Sequence, residues 1–222
     1  MIHRPASDQI RPKVFKEIEE KYGSEKVLLV RSIGLLNANW ELVDPLIPAV
    51  IHDLQNKKVK TIALTAIRTN SFGQIANPMQ WRIDSLRELG IDFSWPTALD
   101  QQIWEDNTGY LDGVVGTGAQ PKGTVLLRFL DKAKFKPRTV VFIDDKHQNL
   151  ENVQEACKRV GVENFYGFQF EAETFAKDAA PDRWMLRFQL EEAAQGRAWP
   201  KDREALDNIK SGKYKCSANP AP

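Results

Sequence analysis

The sequence predicts an α/β fold in three layers, a mainly parallel sheet with helices packed on both faces. Three observations predict it. Thr139 to Asn149 reads T-V-V-F-I-D-D-K-H-Q-N, and the β-branched run Val140 to Ile143 is the pattern of a strand buried on both faces. Immediately downstream, Leu150, Val153, Cys157 and Val160 recur at helical spacing. Upstream, short apolar runs alternate with amphipathic stretches, the order expected of parallel strands joined by right-handed crossovers.

Taken in order, a polar arm leads to a helix over Pro12 to Tyr22, with Pro12 suited to a first turn and Gly23 to a stop. Val14, Phe15, Ile18 and Tyr22 give that helix one apolar face. Val27 to Val30 reads as the first short strand. Asp44, as a cap with Pro45 at the first helical position, opens a helix whose inner face is Ile47, Val50, Ile51 and Leu54. Val59 to Leu64 reads as the second strand, ending at Thr65. A helix from Pro78 carries Met79, Ile83, Leu86 and Leu89 on one side and stops at Gly90.

Ile91 to Gln120 holds Phe93, Trp95, Trp104 and Tyr110 but no sustained period, and glycines interrupt it. It reads as a loop with a short strand pair, either a lid over the sheet end or aromatic packing beneath a long loop. Lys122 and Gly123 begin a helix that turns Val125, Leu126, Phe129 and Leu130 inward. Asn164 to Phe170 is a further strand at the sheet edge. Asp182 to Gln195 and Lys201 to Ile209 are two helices, and Ser211 to Pro222 is a frayed tail. Trp184, Phe188 and Trp199 serve either as helix packing or as a partner surface. The predicted divisions are an arm and helix over 1–24, a core over 25–175, helices over 176–210 and a tail over 211–222.

The 222 residues suffice for one large domain with added elements. A formal charge of +1 gives no electrostatic argument for nucleic acid or an anionic membrane. Two cysteines, Cys157 and Cys216, make no disulfide framework, and Cys157 falls on an apolar helix face. No apolar stretch has the length of a membrane span, and the first residues lack the apolar core of a signal peptide. The expectation is a soluble, cytoplasmic protein. A processed N-terminus, or secretion without a recognisable signal, stays open.

Asp144 and Asp145 end the central strand, where open α/β sheets bind ligands. Two adjacent like charges need a cation, donors or water. The bland alternative is a solvated turn with one of them capping the helix. Residues alone leave both readings open.

Three sites nevertheless line up. Thr65 in L-T-A after a strand, Lys122 in P-K-G, and D-D-x-x-x-N at Asp144, Asp145 and Asn149 resemble the second, third and fourth motifs of the haloacid dehalogenase superfamily. The resemblance spans about Val27 to Phe170. W-R-I-D-S-L-R-E-L-G-I-D-F-S at Trp81 to Ser94 and Y-G-F at Tyr166 to Phe168 look more like an uncharacterised bacterial branch of it. The resemblance implies a Rossmann-like sheet and phosphoryl transfer through an aspartyl phosphate, with magnesium held by carboxylates. It implies that Thr65 and Lys122 bind phosphate, that Asp144 and Asp145 sit beside the metal, and that Asn149 anchors the loop.

The first motif departs from that pattern. Where the family has D-x-D-x-T-L, this chain reads L-L-V-R-S-I-G-L-L. One register puts Val30 and Ser32 in place of the two aspartates, the other Arg31 and Ile33. Neither leaves a catalytic carboxylate, and Ser32 has no base placed by sequence to take its proton. The loss weakens the case for magnesium. It suggests that Arg31 pairs with Asp144 or Asp145 in the cation's place, unless Arg31 is merely solvated. The expected function is binding without catalysis, of a phosphate-bearing ligand or a protein. The alternative is a magnesium-dependent phosphohydrolase with another nucleophile, and the plainest reading is a structural domain.

Overall fold

The computed structural model describes residues 5–38, 40–93, 99–170 and 183–213. Trp95, Cys216 and the tail beyond 213 lie outside the described residues. The protein is mixed α/β and divides into two compact units, one of Met1–Asn39, Phe72–Gln74 and Ala172–Pro222, the other of Trp40–Ser71 and Ile75–Glu171.

The first unit is helical among its described residues. It contains α1 (Pro5–Tyr22), α2 (Ser24–Leu36), α7 (Arg183–Ala194) and α8 (Asp202–Lys210). Helix α1 begins earlier than expected and carries Pro12 inside it. Its Val14 and Ile18 pack with Val30 of α2 and Leu186, Leu190 and Ala193 of α7. Met185 and Phe188 close on Ala205 of α8. Trp199 packs against the first of these clusters, close to Gly34. Phe188 and Trp199 are therefore used in packing.

Helix α2 replaces the expected first strand. Val27, Val30 and Ile33 fall three residues apart and line one stripe, and Val30 is fully buried. A short apolar run fits a strand or a buried helix equally. Helix formers such as Glu25, Lys26 and the leucines around that run favour the helix.

The second unit holds α3 (Ile47–Asn56), β1 (Ala63–Thr65), α4 (Pro78–Glu88), β2 (Gln102–Ile103), β3 (Gly109–Leu111), β4 (Val114–Gly116), α5 (Lys122–Lys132), β5 (Thr139–Asp144), α6 (His147–Arg159) and β6 (Asn164–Gln169). The strands form two small sheets rather than the single mainly parallel one expected. One sheet has the order β1-β4-β3-β2, with β1 parallel to β4 and the other pairs antiparallel. The other is the parallel pair β5-β6.

Strands β3 and β4 form the expected strand pair. Asp112 and Gly113, with φ of 45° and 81°, make the two-residue turn that such a hairpin requires. A side chain at Gly113 would strike the Phe93 carbonyl. Tyr110 is buried and Trp104 packs on the same core, so these two aromatics serve packing.

Helices α4, α5 and α6 match their sequence patterns closely. Asn77 caps α4 by accepting the Gln80 amide at 3.1 Å, with Pro78 in the first turn. Arg82 of α4 lies over the rings of Trp40 and Trp81, 4.8 and 4.7 Å from their centroids. Val125, Leu126 and Phe129 of α5 and Val153 and Cys157 of α6 share one core with Tyr110. The helices approach closely at Gly123, where a Cβ would lie 2.4 Å from the Asn152 carbonyl oxygen. Helix α3 departs from expectation. None of its residues is fully buried, Val50 is 55% exposed, and Asp44 accepts the Leu46 amide in the turn before the helix.

Candidate functional site

The end of β5 and the start of α6 place Asp144 against the first turn of α5. The strand alternates, so Val140, Phe142 and Asp144 point toward α5 and α6 while Thr139, Val141 and Ile143 point away. Asp144 is enclosed, with 4% of its side chain exposed against 16% for Lys122. Its Oδ2 accepts from Lys122 Nζ at 2.6 Å. Its Oδ1 accepts from the Lys146 amide at 2.9 Å and from Asn149 Nδ2 at 2.8 Å. Lys122 Nζ also lies 5.8 Å from the centroid of Phe142.

These contacts set the charge state. Burial acts to raise the Asp144 carboxyl, but the donors from Lys122, Asn149 and Lys146, with the Lys122 charge, outweigh it and hold it below the ordinary carboxylate range. The carboxylate is ionised at neutral pH, with two hydrogen bonds at Oδ1 and one at Oδ2. Asp145, next along the strand, is exposed, and its carbonyl accepts from Gln169 Nε2 at 3.4 Å. Asp145 is thus exposed while Asp144 is enclosed, and the Lys122 ammonium already lies beside Asp144 as its counter-charge. The donor set does not fit a magnesium site.

The structure brings Lys122, Asp144 and Asn149 together, with Asn149 as a loop anchor. It places Thr65 at the end of β1 in the other sheet, where the Thr65 carbonyl accepts the Thr117 amide at 2.8 Å. Among the described residues, no hydrogen bond joins the Thr65 side chain to Lys122 or Asp144.

The first-motif positions lie in the helical unit. Arg31, expected either to pair with Asp144 or Asp145 or to be solvated, sits on α2 with its guanidinium 5.3 Å from the Phe15 ring centroid, and the ion-pair partner of Asp144 is Lys122. Val30 and Ile33 are packing residues of that helix. Ser32 is fully buried and its hydroxyl is spent on structure. It donates to the Leu29 carbonyl at 2.7 Å and accepts the Gln74 amide at 2.8 Å.

Two features escaped the sequence reading. Asn152 Oδ1 accepts the Gly123 amide at 2.6 Å and pins the start of α5 to α6. A carboxamide in mid-helix gives no local sign of that role. The other is the outer face of β5-β6. Val141 pairs with Tyr166 and Ile143 with Phe168, and these four side chains are 58, 52, 61 and 55% exposed. The apolar run on β5 had suggested burial on both faces, and among the described residues only one is covered.

A family model described as "Protein of unknown function (DUF2608)" matches residues 13–201. No curated protein and no solved structure matches. The match is not to a haloacid dehalogenase family, and α2 stands where that resemblance required a strand ending in the first motif. Both findings overturn the resemblance. Among the described residues, no helix is long and apolar enough to cross a membrane. With most of its length covered by that match, the chain belongs to the DUF2608 family of proteins of unknown function.

Proposed function

We propose that this protein works by binding a protein partner, without phosphoryl-transfer catalysis, and that its binding surface is the outer face of β5-β6. One observation carries the reading: Val141, Tyr166, Ile143 and Phe168 form a contiguous apolar ladder that is more than half exposed. Parallel sheets are ordinarily covered on both faces, and patches of this kind mark interaction sites.

The chemistry at the strand end supports the same reading. The Asp144 carboxylate already accepts three hydrogen bonds, two at Oδ1 and one from the Lys122 ammonium at Oδ2, which weakens it as a nucleophile or metal ligand. A phosphate at Lys122 would have to compete with a carboxylate 2.6 Å away, so a phosphate-bearing ligand fits less well than a protein.

The test has two parts. An aryl phosphate with magnesium should not be turned over by the native chain or by Asp144→Asn. Turnover that vanished in the variant would contradict the reading. An environment-sensitive apolar dye should bind the native chain in dilute solution and bind Phe168→Glu several-fold less. Equal dye binding by the two would remove the ladder as the surface.

A further inference from the structure

We infer that the protein partner binds by adding an extended, apolar strand to the open edge of β5. The inference rests on the reading of β5-β6 as a protein-binding surface and names what that partner presents. The register of the strands fixes which main-chain groups are left over. The Asn164 amide donates to the Arg138 carbonyl and the Phe170 amide to the Asp144 carbonyl, with Thr139 opposite Asn164 and Asp144 opposite Gln169. In a parallel pair that pattern turns the N–H and C=O of Val140 and Phe142 toward β6. Those of Thr139, Val141 and Ile143 point to the other edge, where, among the described residues, no main-chain hydrogen bond meets them.

Exposed strand edges are ordinarily protected by brevity, a bulge, a proline or a charge. The edge of β5 has none of these protections. The strand keeps register with β6 over six residues without a bulge, and Thr139 to Ile143 holds no proline and no charge. Its three open-edge positions are all β-branched, the residue type that best holds an extended backbone. The other described edges are poorer templates. β1 and β2 have three and two residues, and β6 presents Gly167 in the middle of its own outer edge.

The edge specifies its occupant. A row of alternating main-chain donors and acceptors is matched along its length only by another extended main chain, which is recognition by strand addition. An added strand lies about 4.8 Å from β5, so its outward side chains stand beside Val141 and Ile143, both more than half exposed. Its inward side chains stand beside Val140 and Phe142, which pack on the core shared by α5 and α6. Apolar, β-branched residues suit both rows, whereas a charge on the inner row would lose its water without a counter-charge. A third strand also strengthens a pair that is short of the number a stable sheet needs.

Amide hydrogen exchange of the full chain, read by NMR, tests the edge directly. The probe is a short synthetic peptide of alternating valine and threonine with lysine at each end. Without peptide, the amides of Val141 and Ile143 should exchange about tenfold or more faster than that of Phe142, which donates within the β5-β6 ladder. Saturating peptide should slow Val141 and Ile143 about tenfold or more and leave Phe142 within about twofold. Val141→Pro removes an edge donor and no bond to β6, so it should weaken peptide binding about tenfold or more. Val141→Thr keeps that donor and should stay within about threefold of the native chain. Both variants should keep a native circular dichroism spectrum, because the position is 58% exposed.

A peptide that fails to bind, or that binds without slowing Val141 and Ile143, overturns the inference. So does equal binding by Val141→Pro and Val141→Thr, and if the proline variant loses its native spectrum the exchange pattern of the native chain decides alone. Slowing of both amides when the chain is concentrated without peptide assigns the edge to a second copy and also overturns it. The dye keeps the underlying reading separate. Where the edge fails, loss of dye binding in Phe168→Glu leaves the outer face standing with another kind of partner, and unchanged dye binding removes the face as well.

Discussion

The carboxylate of Asp144 accepts from an ammonium, a main-chain amide and a carboxamide, so removing any one donor strands charge in a buried place. Lys122→Met should therefore destabilise the protein by about 2–4 kcal/mol in denaturant unfolding. Lys122→Met with Asp144→Leu should recover much of that loss, because no uncompensated charge remains. The pH dependence has a definite sign. The folded carboxyl titrates lower than the unfolded one, so the unfolded chain binds more protons as acid is added. The stability that native Asp144 contributes is full above its unfolded value of about 4 and lost as pH falls through the folded one. The gap in stability between the native chain and Asp144→Asn should shrink over that window. A constant gap from pH 6 to about pH 2 would contradict the account.

Legibility at the level of elements followed the strength of the local signal. Helices α4, α5 and α6 were legible because each carries a 3.6-residue apolar period, bounded in α4 by Pro78 at its start and Gly90 at its stop. A short strand pair within Ile91 to Gln120 was also expected, though not its turn at Asp112 and Gly113. Helix α2 was misread because four consecutive apolar residues carry no period of their own, and the arbiter, its packing on α1 and α7, is tertiary. On β5 the apolar alternate positions were legible, but one row turned out to face outward. Gly123 marks how tightly α5 and α6 depend on each other. A methyl there would lie 2.7 Å from the Ala156 Cβ as well as against Asn152, so Gly123→Ala should cost about 2–3 kcal/mol. Gly161→Ala meets no atom within 4 Å and carries only the strain of φ +75°, about 1 kcal/mol. Thermal or denaturant unfolding of the two variants checks the order, and equal losses would contradict the packing argument.

For the whole molecule, the sequence brought together three residues that the structure also brings together, while the family resemblance that gave them roles is overturned. Lys122, Asp144 and Asn149 do meet, because a strand end, a helix start and a capping turn are joined by common local rules. The same rules make a threonine after a strand and a lysine opening a helix look like motifs. Membership of the DUF2608 family and the helix over Ser24–Leu36 overturn the resemblance from which those roles were drawn, while the contacts among the three residues stand. What remains unexplained by internal packing is the outer face of β5-β6, invisible in a sequence that alternates nothing but apolar residues over Val140 to Ile143. Hydroxyl-radical footprinting of Tyr166 and Phe168 in dilute solution tests that face most directly. Oxidation of Tyr166 should match or exceed that of exposed Tyr22 and, like that of Phe168, stand well above that of buried Tyr110 and Phe129. Oxidation of Tyr166 and Phe168 as low as that of Tyr110 and Phe129 would contradict it.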